Sequence, residues 1–406
     1  MTGTEPVLVI GGGATGVGVA RDLARRGVDV TLVDQGGLGG GTSGRSHGVL
    51  HSGARYAESD AVGAEECIEE NRIIRSTAAG CIRDTGGLFV RLADDDPSYF
   101  DRKLEACREV GIDVERLEPA AARRTVPDLA DSVEDVFRVP DAVVYPSRLV
   151  AANAADAAAH GATIHTHAPV ESLTVRENRV TSAHIGGSVG KTIEPAYVVN
   201  AAGPWAGRVA SMAGLDVPMS PTRGVMIAVE YDRLGPVLNR CREPDDGDIV
   251  VPHETEAVLG TTSVPTSDPG DREHDDRERE VCLEECSAML PPVSEVEIRR
   301  TWTGVRPLYS PEEKRGQRGI SRGFARLDHA DDGVENAVSI VGGKLTTYRL
   351  MAASVADLVC DRLGVTAACT TATVPLPGND DPAQLEPYID EFDIRAPTDG
   401  TDGQGY

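Results

Sequence analysis

The feature that most constrains the fold is a glycine-rich turn near the start of the sequence, GGGATG at residues 11–16. It directly follows an all-apolar run at residues 7–10, and apolar residues at helical spacing then continue as far as Gly27. The next run, VDVTLVD, has the composition of a second buried strand and ends at Asp34. A strand, a helix and a parallel strand within ~30 residues make a βαβ unit. The sequence therefore predicts an α/β fold built on a parallel sheet.

Three glycines of this turn, Gly11, Gly13 and Gly16, form the pattern GxGxxG. The absence of a Cβ lets the backbone approach a pyrophosphate at the positive end of the following helix. Asp34, eighteen residues beyond Gly16, is placed to accept hydrogen bonds from a ribose hydroxyl. A glycine turn needed only for packing is the alternative, which the complete βαβ unit disfavours. The pattern predicts a dinucleotide site but does not distinguish NAD from FAD.

Three further glycine clusters bear on that choice: GGGTSGRSHG at 39–48, NAAGPW at 200–205 and VGGKLTTY at 341–348. Taken singly, each is explained as well by a tight turn as by a ligand. Several glycine-rich strand ends converging on one ligand favour an extended, permanently held FAD. The residues expected to contact FAD are Gly11, Gly13, Ala14, Thr15, Gly16, Asp34, Thr42, Ser43, Arg45, Val170, Ala202, Gly203, Trp205, Gly342, Gly343, Lys344, Leu345 and Thr346.

Three cations lie in glycine- or proline-marked segments at element ends: Arg55 beside Tyr56, Arg306 in TGVRPLYS and Lys344 in VGGKLTT. Arginine offers a planar fork of donors that matches phosphate oxygens, although most arginines are solvated surface groups. Lys344 has a second interpretation, in which it sits against the pyrimidine end of the flavin and stabilises the reduced anion.

Two histidines are candidates for a catalytic base because an imidazole titrates near neutral pH. His51 shares the segment HGVLHSGARY with Arg55, and His253 in VVPHE is the second candidate. For either one, a structural histidine bonded to a backbone carbonyl is an equally good explanation.

Composition excludes several other classes of protein. The formal net charge of −25 and the aromatic content of 4% disfavour a nucleic-acid platform, so no nucleic-acid partner is expected. The acidic surface, whose positive charges come almost entirely from arginine, suggests adaptation to high salt. The start MTGTEPVLVIGGG lacks a secretion signal, which favours a cytoplasmic location. Cys282 and Cys286 are expected to be a helical pair of core residues, and no metal site is expected.

The pattern of strands and helices divides the chain into two interleaved units. Residues 218–307 carry short strand-like runs and an acidic segment near 268–285 that we expect to be exposed to solvent. Residues 337–364 return to the strand, glycine and helix order of the start. We expect an FAD-binding domain at 5–92, 145–217 and 318–377, a mostly antiparallel capping domain at 93–144 and 218–317, and a loosely ordered polar tail at 378–406.

Eight segments in order along the chain resemble the FAD-dependent glycerol-3-phosphate dehydrogenases, and most of all the A subunit of the anaerobic three-subunit form. They are GGGATGVGVARDLARRGV, HGVLHSGARYA, NRCREPDDGDIVVP, LGTTS, GVRPL, SRG, LDHA and GGKLTTYRLMA. The resemblance runs from about residue 5 to residue 377.

This resemblance implies a D-amino-acid-oxidase-like flavoprotein with a Rossmann-type FAD domain and a substrate-capping domain. It implies oxidation of sn-glycerol 3-phosphate to dihydroxyacetone phosphate, with hydride transfer to FAD. The family's cavity residues fall on Arg55, Tyr56, Arg306 and Lys344. We expect these four to bind substrate, with His51, Arg306 and Lys344 catalytic.

Two departures from the family pattern affect this interpretation. A histidine of the aerobic relatives is replaced here by Met226, which leaves the proton acceptor open. The anaerobic relatives also carry a cysteine-rich module, whereas this sequence has no CxC or CxxC arrangement. An iron–sulfur cluster would then sit on a partner or have been lost. A membrane-anchoring iron–sulfur partner, a quinone acceptor and peripheral attachment to the inner face of the membrane are the resulting expectations.

Two other functions remain open at this stage. One is a flavin oxidase or dehydrogenase for a 2-hydroxy acid or a secondary amino acid, because arginines would equally bind a carboxylate. The other is a catalytically silent flavin-holding protein needed for assembly, which the missing histidine and the missing cluster module would allow.

Overall fold

A computed structural model describes residues 6–311 and 323–400 of the chain. The predicted domain join at 317/318, most of the SRG segment and the last six residues of the tail lie outside these ranges. The strands, numbered along the chain, are β1 (Val7–Ile10), β2 (Val30–Val33), β3 (Val49–Leu50), β4 (Ile82–Arg83), β5 (Gly87–Leu92), β6 (Glu115–Leu117), β7 (Val133–Val139), β8 (Ala142–Val144), β9 (Thr163–His165), β10 (Val170–Arg176), β11 (Arg179–Ile185), β12 (Lys191–Ile193), β13 (Tyr197–Asn200), β14 (Thr222–Glu230), β15 (Val237–Arg240), β16 (Ile249–His253), β17 (Glu256–Gly260), β18 (Val264–Pro265), β19 (Ile298–Arg306), β20 (Phe324–Asp328) and β21 (Ala337–Gly342).

The helices of the described residues alternate with these strands. They are α1 (Ala14–Arg25), α2 (Ala61–Thr77), α3 (Pro97–Glu109), α4 (Pro119–Thr125), α5 (Pro146–Ala159), α6 (Ala206–Ser211), α7 (Asp276–Met289), α8 (Tyr348–Leu363) and α9 (Glu386–Glu391). Proline opens α3, α4 and α5, where its missing N–H has no intrahelical partner to lose.

The first layer is a six-stranded sheet in the order β20-β21-β13-β1-β2-β9, parallel except for β20. Successive side chains of a strand point to opposite faces. Val7 and Val9 of β1 accordingly pack with α1, α5 and α8, whereas Leu8 and Ile10 pack with the antiparallel β10–β12 meander. Both faces are covered, as a parallel sheet requires. The predicted α/β class and βαβ unit are confirmed.

A second, larger sheet forms the capping domain, in the order β18-β14-β17-β16-β15-β5-β7-β6 with β19 paired to β14. Its pairs are antiparallel except for β15 with β5. The boundary predicted at residue 92 does not fit this pairing, because Gly87–Leu92 hydrogen-bonds to β15 and β7 and therefore belongs to the cap. The sequence of β5 is simply apolar, so it does not indicate whether the strand joins the parallel sheet or the cap sheet.

Helix α7 carries much of the acidic segment, which is largely exposed as expected except along one buried face of the helix. It covers the outer face of the cap sheet, where Cys282, Cys286 and Met289 pack with apolar strand residues. The cysteine pair is thus a helical core pair, as predicted. Even Glu278 is only 6% exposed, because it is bonded to Arg223 and Thr262.

The tail is also more ordered than expected over residues 378–400. Leu385, Phe392, Ile394 and Ala396 are buried, three of them in the core around α5. Thr398 donates from Oγ1 to the carbonyl oxygen of Gly44, at 3.1 Å. A few buried apolar residues hold this segment in place. Its polar composition as a whole predicted a loosely ordered tail.

Candidate active site

Two adjoining cavities lie where the cap sheet meets the carboxyl ends of the parallel strands. The first, of about 500 Å³, is called the cofactor cleft here, and the second, of about 430 Å³, the substrate chamber. Thr42 and Ser46 line both. The carboxyl edge of an open α/β sheet is the usual place for a ligand.

The GGGATG turn forms one wall of the cofactor cleft. Gly11 has φ +105°, and a Cβ there would lie 2.5 Å from the carbonyl oxygen of Ala201. Helix α1 has no side-chain hydrogen bond at its cap and no acidic residue in its first turn. The first-turn amide of Ala14 donates a hydrogen bond to Oγ of Ser43, at 2.9 Å. This amino end of α1 is suited to an anionic group.

Asp34 occupies another part of the same cleft. Its carboxylate accepts hydrogen bonds from the amides of Gly12 at 2.6 Å and Gly36 at 2.8 Å. Burial raises the pKa of Asp34, while these two amide donors oppose the shift. The carboxylate therefore ties the glycine turn to the end of β2 beside the place predicted for a ribose.

Most residues predicted to contact the cofactor do line the cleft. These are Gly11, Gly13, Ala14, Thr15, Asp34, Thr42, Ser43, Val170, Ala202, Gly203, Trp205, Gly342, Gly343, Lys344 and Leu345. They come from six separate parts of the chain, three of which are the glycine clusters named above.

Three predicted cofactor residues are placed elsewhere. Gly16 packs on the turn itself, since a Cβ would lie 1.8 Å from the carbonyl oxygen of Gly11. Thr346 is buried, and its hydroxyl accepts the amide of His51 at 3.0 Å. Arg45 lines the chamber instead of the cleft. The roles of Gly16 and Thr346 are thus in packing and in holding the His51 loop.

The substrate chamber gathers two of the three cations that the sequence singled out, whereas the third, Lys344, lines the cofactor cleft. Arg55 and Arg306 line it together with Tyr56, His51 and Arg45. Carboxylates are present too, since Asp60, Asp245 and Asp246 also contribute to the wall. The chamber therefore has a mixed rather than a purely positive lining.

Arg306 is oriented by the cap sheet. Its Nη2 donates to the carbonyl oxygen of Thr262 at 3.0 Å and to Oγ1 of Thr261 at 3.2 Å. Gly224, on the adjacent strand, leaves the space that the guanidinium fills, because a Cβ there would lie 2.8 Å from Nη2. Sequence patterns gave no signal for this role of Gly224.

Arg55 is held from two sides. Its Nη2 lies 3.4 Å from the buried carboxylate of Asp248, which also pairs with Arg242. Its backbone carbonyl accepts a hydrogen bond from the buried ammonium of Lys103 at 3.2 Å. Burial lowers the pKa of Lys103 despite the nearby carboxylate of Glu58.

His51 sits on a loop whose backbone is fixed at both ends of the residue. Thr346 accepts its amide, and Asn71 donates to its carbonyl oxygen at 3.2 Å. The imidazole packs edge-on against Tyr56, with centroids 5.6 Å apart. The ring is thereby presented to the chamber that Arg55 and Arg306 line.

His253 does not line either cavity. Burial lowers its pKa to about 4, and Nε2 lies 3.2 Å from the carbonyl oxygen of His47. The prediction of His253 as a second candidate base was wrong. The residue is instead a structural histidine bonded to a backbone carbonyl. Met226, which replaces a histidine of the aerobic relatives, does line the substrate chamber.

Within residues 6–311 and 323–400, no three His, Cys, Asp or Glu side chains are grouped to hold a metal ion. No described helix has both the length and the apolar character needed to cross a bilayer.

Comparison with known proteins supplies the family context. The family described as FAD dependent oxidoreductase, DAO, matches residues 6–358. The chain is 46% identical to the A1 subunit of anaerobic glycerol-3-phosphate dehydrogenase from Haloferax volcanii, covering 98% of this chain and 70% of that one. It is 42% identical to the A subunit of anaerobic glycerol-3-phosphate dehydrogenase from Escherichia coli K12, covering 94% and 72%.

Solved structures share the fold at lower identity. The glycerol-3-phosphate dehydrogenase from Bacillus halodurans, complexed with FAD, has a TM-score of 0.72 at 23% identity, covering 96% of this chain and 71% of that one. The glycine oxidase from Geobacillus kaustophilus has a TM-score of 0.74 at 21% identity, covering 92% and 99%.

Proposed function

The chain belongs to the family of FAD dependent oxidoreductases, DAO, and from that premise we propose that it oxidises sn-glycerol 3-phosphate to dihydroxyacetone phosphate. The observation that carries the proposal is the shared wall at Thr42 and Ser46 between a dinucleotide cleft and a chamber lined by arginines and histidines. The choice of glycerol 3-phosphate as substrate rests on the relatives, which are named glycerol-3-phosphate dehydrogenase.

The cleft fits FAD on its own chemistry. The uncapped amino end of α1 suits the pyrophosphate, and Asp34 suits a ribose hydroxyl. Gly342 and Gly343 also line the cleft, and both have positive φ values, of 79° and 74°. When bound, FAD supplies the acceptor for the hydride that leaves the carbinol carbon of the substrate.

Arg306 and Arg55 bind the phosphate in this mechanism. A guanidinium offers paired donors to phosphate oxygens, and Arg306 is already oriented by Thr261 and Thr262. Binding energy from a group that does not react then aligns the carbon that does. Lys344 adds a positive charge where the cleft meets the chamber, and Tyr56 packs beneath it.

His51 takes the proton. As the hydride leaves the carbinol carbon with two electrons, the hydroxyl proton passes to the imidazole or to a water that the imidazole holds. The fixed backbone of His51 keeps the ring in place for this transfer. Met226, which has no basic atom, cannot substitute for it.

The electrons leave the flavin to a partner. The relatives of this chain are named as subunits, and the described residues hold no metal centre and no second dinucleotide turn. We assign the next step to a membrane-anchoring iron–sulfur protein, and the final step to a quinone. Attachment to the membrane is then peripheral and through that partner.

Anaerobic bleaching of the flavin absorbance tests this function. Holoenzyme is mixed with glycerol 3-phosphate, 2-hydroxyglutarate or sarcosine, and only glycerol 3-phosphate is expected to reduce the flavin rapidly. Faster reduction by either carboxylate would replace the proposal with a carboxylate oxidase. A flavin that no substrate bleaches would indicate a silent flavin-holding protein.

A further inference from the structure

The loop between β18 and α7, residues 266–275 and here called the cleft strap, connects the capping domain to the cofactor cleft. At one point Asp268 pairs with Arg208 of α6, with 3.0 Å between Nη2 and Oδ1. Three residues later, Asp271 pairs with Arg223 of the cap sheet, also at 3.0 Å. The strap is therefore attached to both domains on either side of Gly270.

Arg272 follows the second attachment directly and reaches the cleft. Its side chain contributes to the cleft lining, and its Nη2 donates to the carbonyl oxygen of Gly40 at 3.4 Å. The amide of Gly39 bonds to the carbonyl oxygen of Gly12, and Ser43 bonds to the first turn of α1. Arg272 is thus placed at the loop that lies along the amino end of α1.

The charges around Arg272 favour an anion. Within the described residues, no carboxylate oxygen lies within 4 Å of its guanidinium, although Asp268 and Asp271 are close enough to act through space. Arg45 donates to the same Gly40 carbonyl from its Nε at 3.3 Å. Arg272 is an exposed residue, but partial removal of its guanidinium from water, together with the like charge of Arg45, lowers its pKa to about 10. The guanidinium of Arg272 carries further N–H donors that suit a ligand with several negative oxygens.

We propose that Arg272, supplied by the capping domain, binds the pyrophosphate of FAD. The helix end and the guanidinium then hold the same group from two domains, and the strap must move before the cofactor can leave. This inference rests on one part of the proposed function, namely that FAD occupies the cleft. It does not depend on which substrate is oxidised.

FAD release and rebinding by the full chain test the role of Arg272. In the holoenzyme, flavin fluorescence after dilution gives the release rate, and titration of the apoprotein with FAD gives the Kd. Arg272→Gln is expected to raise the Kd for FAD by about tenfold or more at one fixed KCl concentration, mainly through faster release. Arg272→Lys keeps the charge and is expected to stay within about threefold of wild type.

The matched control is Arg277→Gln, which removes the same charge from a side chain that is 73% exposed and pairs with Glu280 at 3.7 Å. A Kd for Arg272→Gln within about twofold of this control, or equal losses in the Gln and Lys variants, would overturn the proposal. Competition by ADP, which has the pyrophosphate, should weaken in Arg272→Gln, whereas competition by adenosine should not. Equal weakening of both would overturn the pyrophosphate assignment. A wild-type chain that binds no FAD would instead refute the proposed function.

Discussion

The ammonium nitrogen of Lys344 lies 4.5 Å from the centroid of the Tyr56 ring. Lys344 lines the cofactor cleft and Tyr56 lines the substrate chamber. The cation–π contact joins a turn late in the chain to a loop near its start. It fixes one positive charge at the boundary between the two cavities.

Lys344→Met should therefore change the redox behaviour of the flavin. Loss of a nearby positive charge disfavours the reduced anion, and we expect a midpoint potential more negative by on the order of 30 mV, which is ~1.4 kcal/mol for two electrons. Spectroelectrochemistry of the holoenzyme measures it. Lys191→Met, on the exposed β12 strand, is the charge-matched control. Equal potentials in the two variants would remove Lys344 from the flavin environment.

Arg306→Ala should lower kcat/KM for glycerol 3-phosphate by more than ~100-fold, a loss of ~2.7 kcal/mol in transition-state stabilisation. Arg299→Ala on the same strand is the control, because that side chain is exposed and pairs with Glu230 and Glu297. Steady-state kinetics with an artificial electron acceptor measure both. A loss of less than about threefold in Arg306→Ala would exclude it from the mechanism.

Gly224→Ala tests whether the cap sheet orients Arg306. The added Cβ would lie 2.4 Å from both Oγ1 of Thr261 and the carbonyl oxygen of Thr262, so the guanidinium must shift. We expect kcat/KM to fall by about tenfold or more while the Kd for FAD stays unchanged. Gly235→Ala, where a Cβ would meet open space, should have no effect on either quantity. Parallel losses of FAD binding and activity in Gly224→Ala would point to misfolding instead.

The contrast between Arg306 and Gly224 shows what the sequence could predict about this site. Arg306 stands in a recognisable segment, and arginine itself indicates an anion. Gly224 matters only because Thr261, Thr262 and Arg306 approach it from neighbouring strands. Such an approach depends on strand register, which has no local signature in the sequence. The βαβ unit, by contrast, is encoded within one short segment and was predicted correctly.

Asp399→Asn should make stability less dependent on pH. Burial raises the pKa of Asp399 to about 7, although the amide of Ser147 donates to it at 2.8 Å and Arg148 and Arg300 oppose the shift. The folded chain therefore binds a proton that the unfolded chain releases above ~4, and wild-type stability falls as pH rises through ~4–7. The asparagine keeps an acceptor for Ser147 without the charge.

We expect the stability of Asp399→Asn to match wild type near about pH 5 and to exceed it near about pH 8, measured as free energy of unfolding. Asp380→Asn, an exposed residue of the same segment, is the control. A constant difference between Asp399→Asn and wild type across this range would show that Asp399 does not titrate there.

The melting temperature should rise strongly with KCl. The chain has 65 acidic and 40 basic side chains, and at ~1 M salt the Debye length of ~3 Å mutes repulsion between exposed carboxylates. Calorimetry between ~0.2 and ~3 M KCl measures the effect. A flat response would refute adaptation of this surface to high salt.

The cleft strap and the ordered tail explain why part of the structure escaped prediction. Both segments are acidic, and acidity alone indicates exposure to solvent. In the folded chain Asp268 and Asp271 also pair with Arg208 and Arg223, which lie far away in sequence, although Asp268 stays exposed. Long-range ion pairs of this kind require the tertiary arrangement before they can be recognised.

Strand β21 pairs with β13 in the middle of the parallel sheet, and the turn after it supplies Gly342, Gly343 and Lys344 to the cleft. A ribosome must therefore release almost the entire described chain before this wall of the cleft exists. The complete cleft can therefore form only when translation is nearly finished. Fragments that stop before Ala337 cannot mature into flavoproteins, even though they contain the whole GGGATG turn.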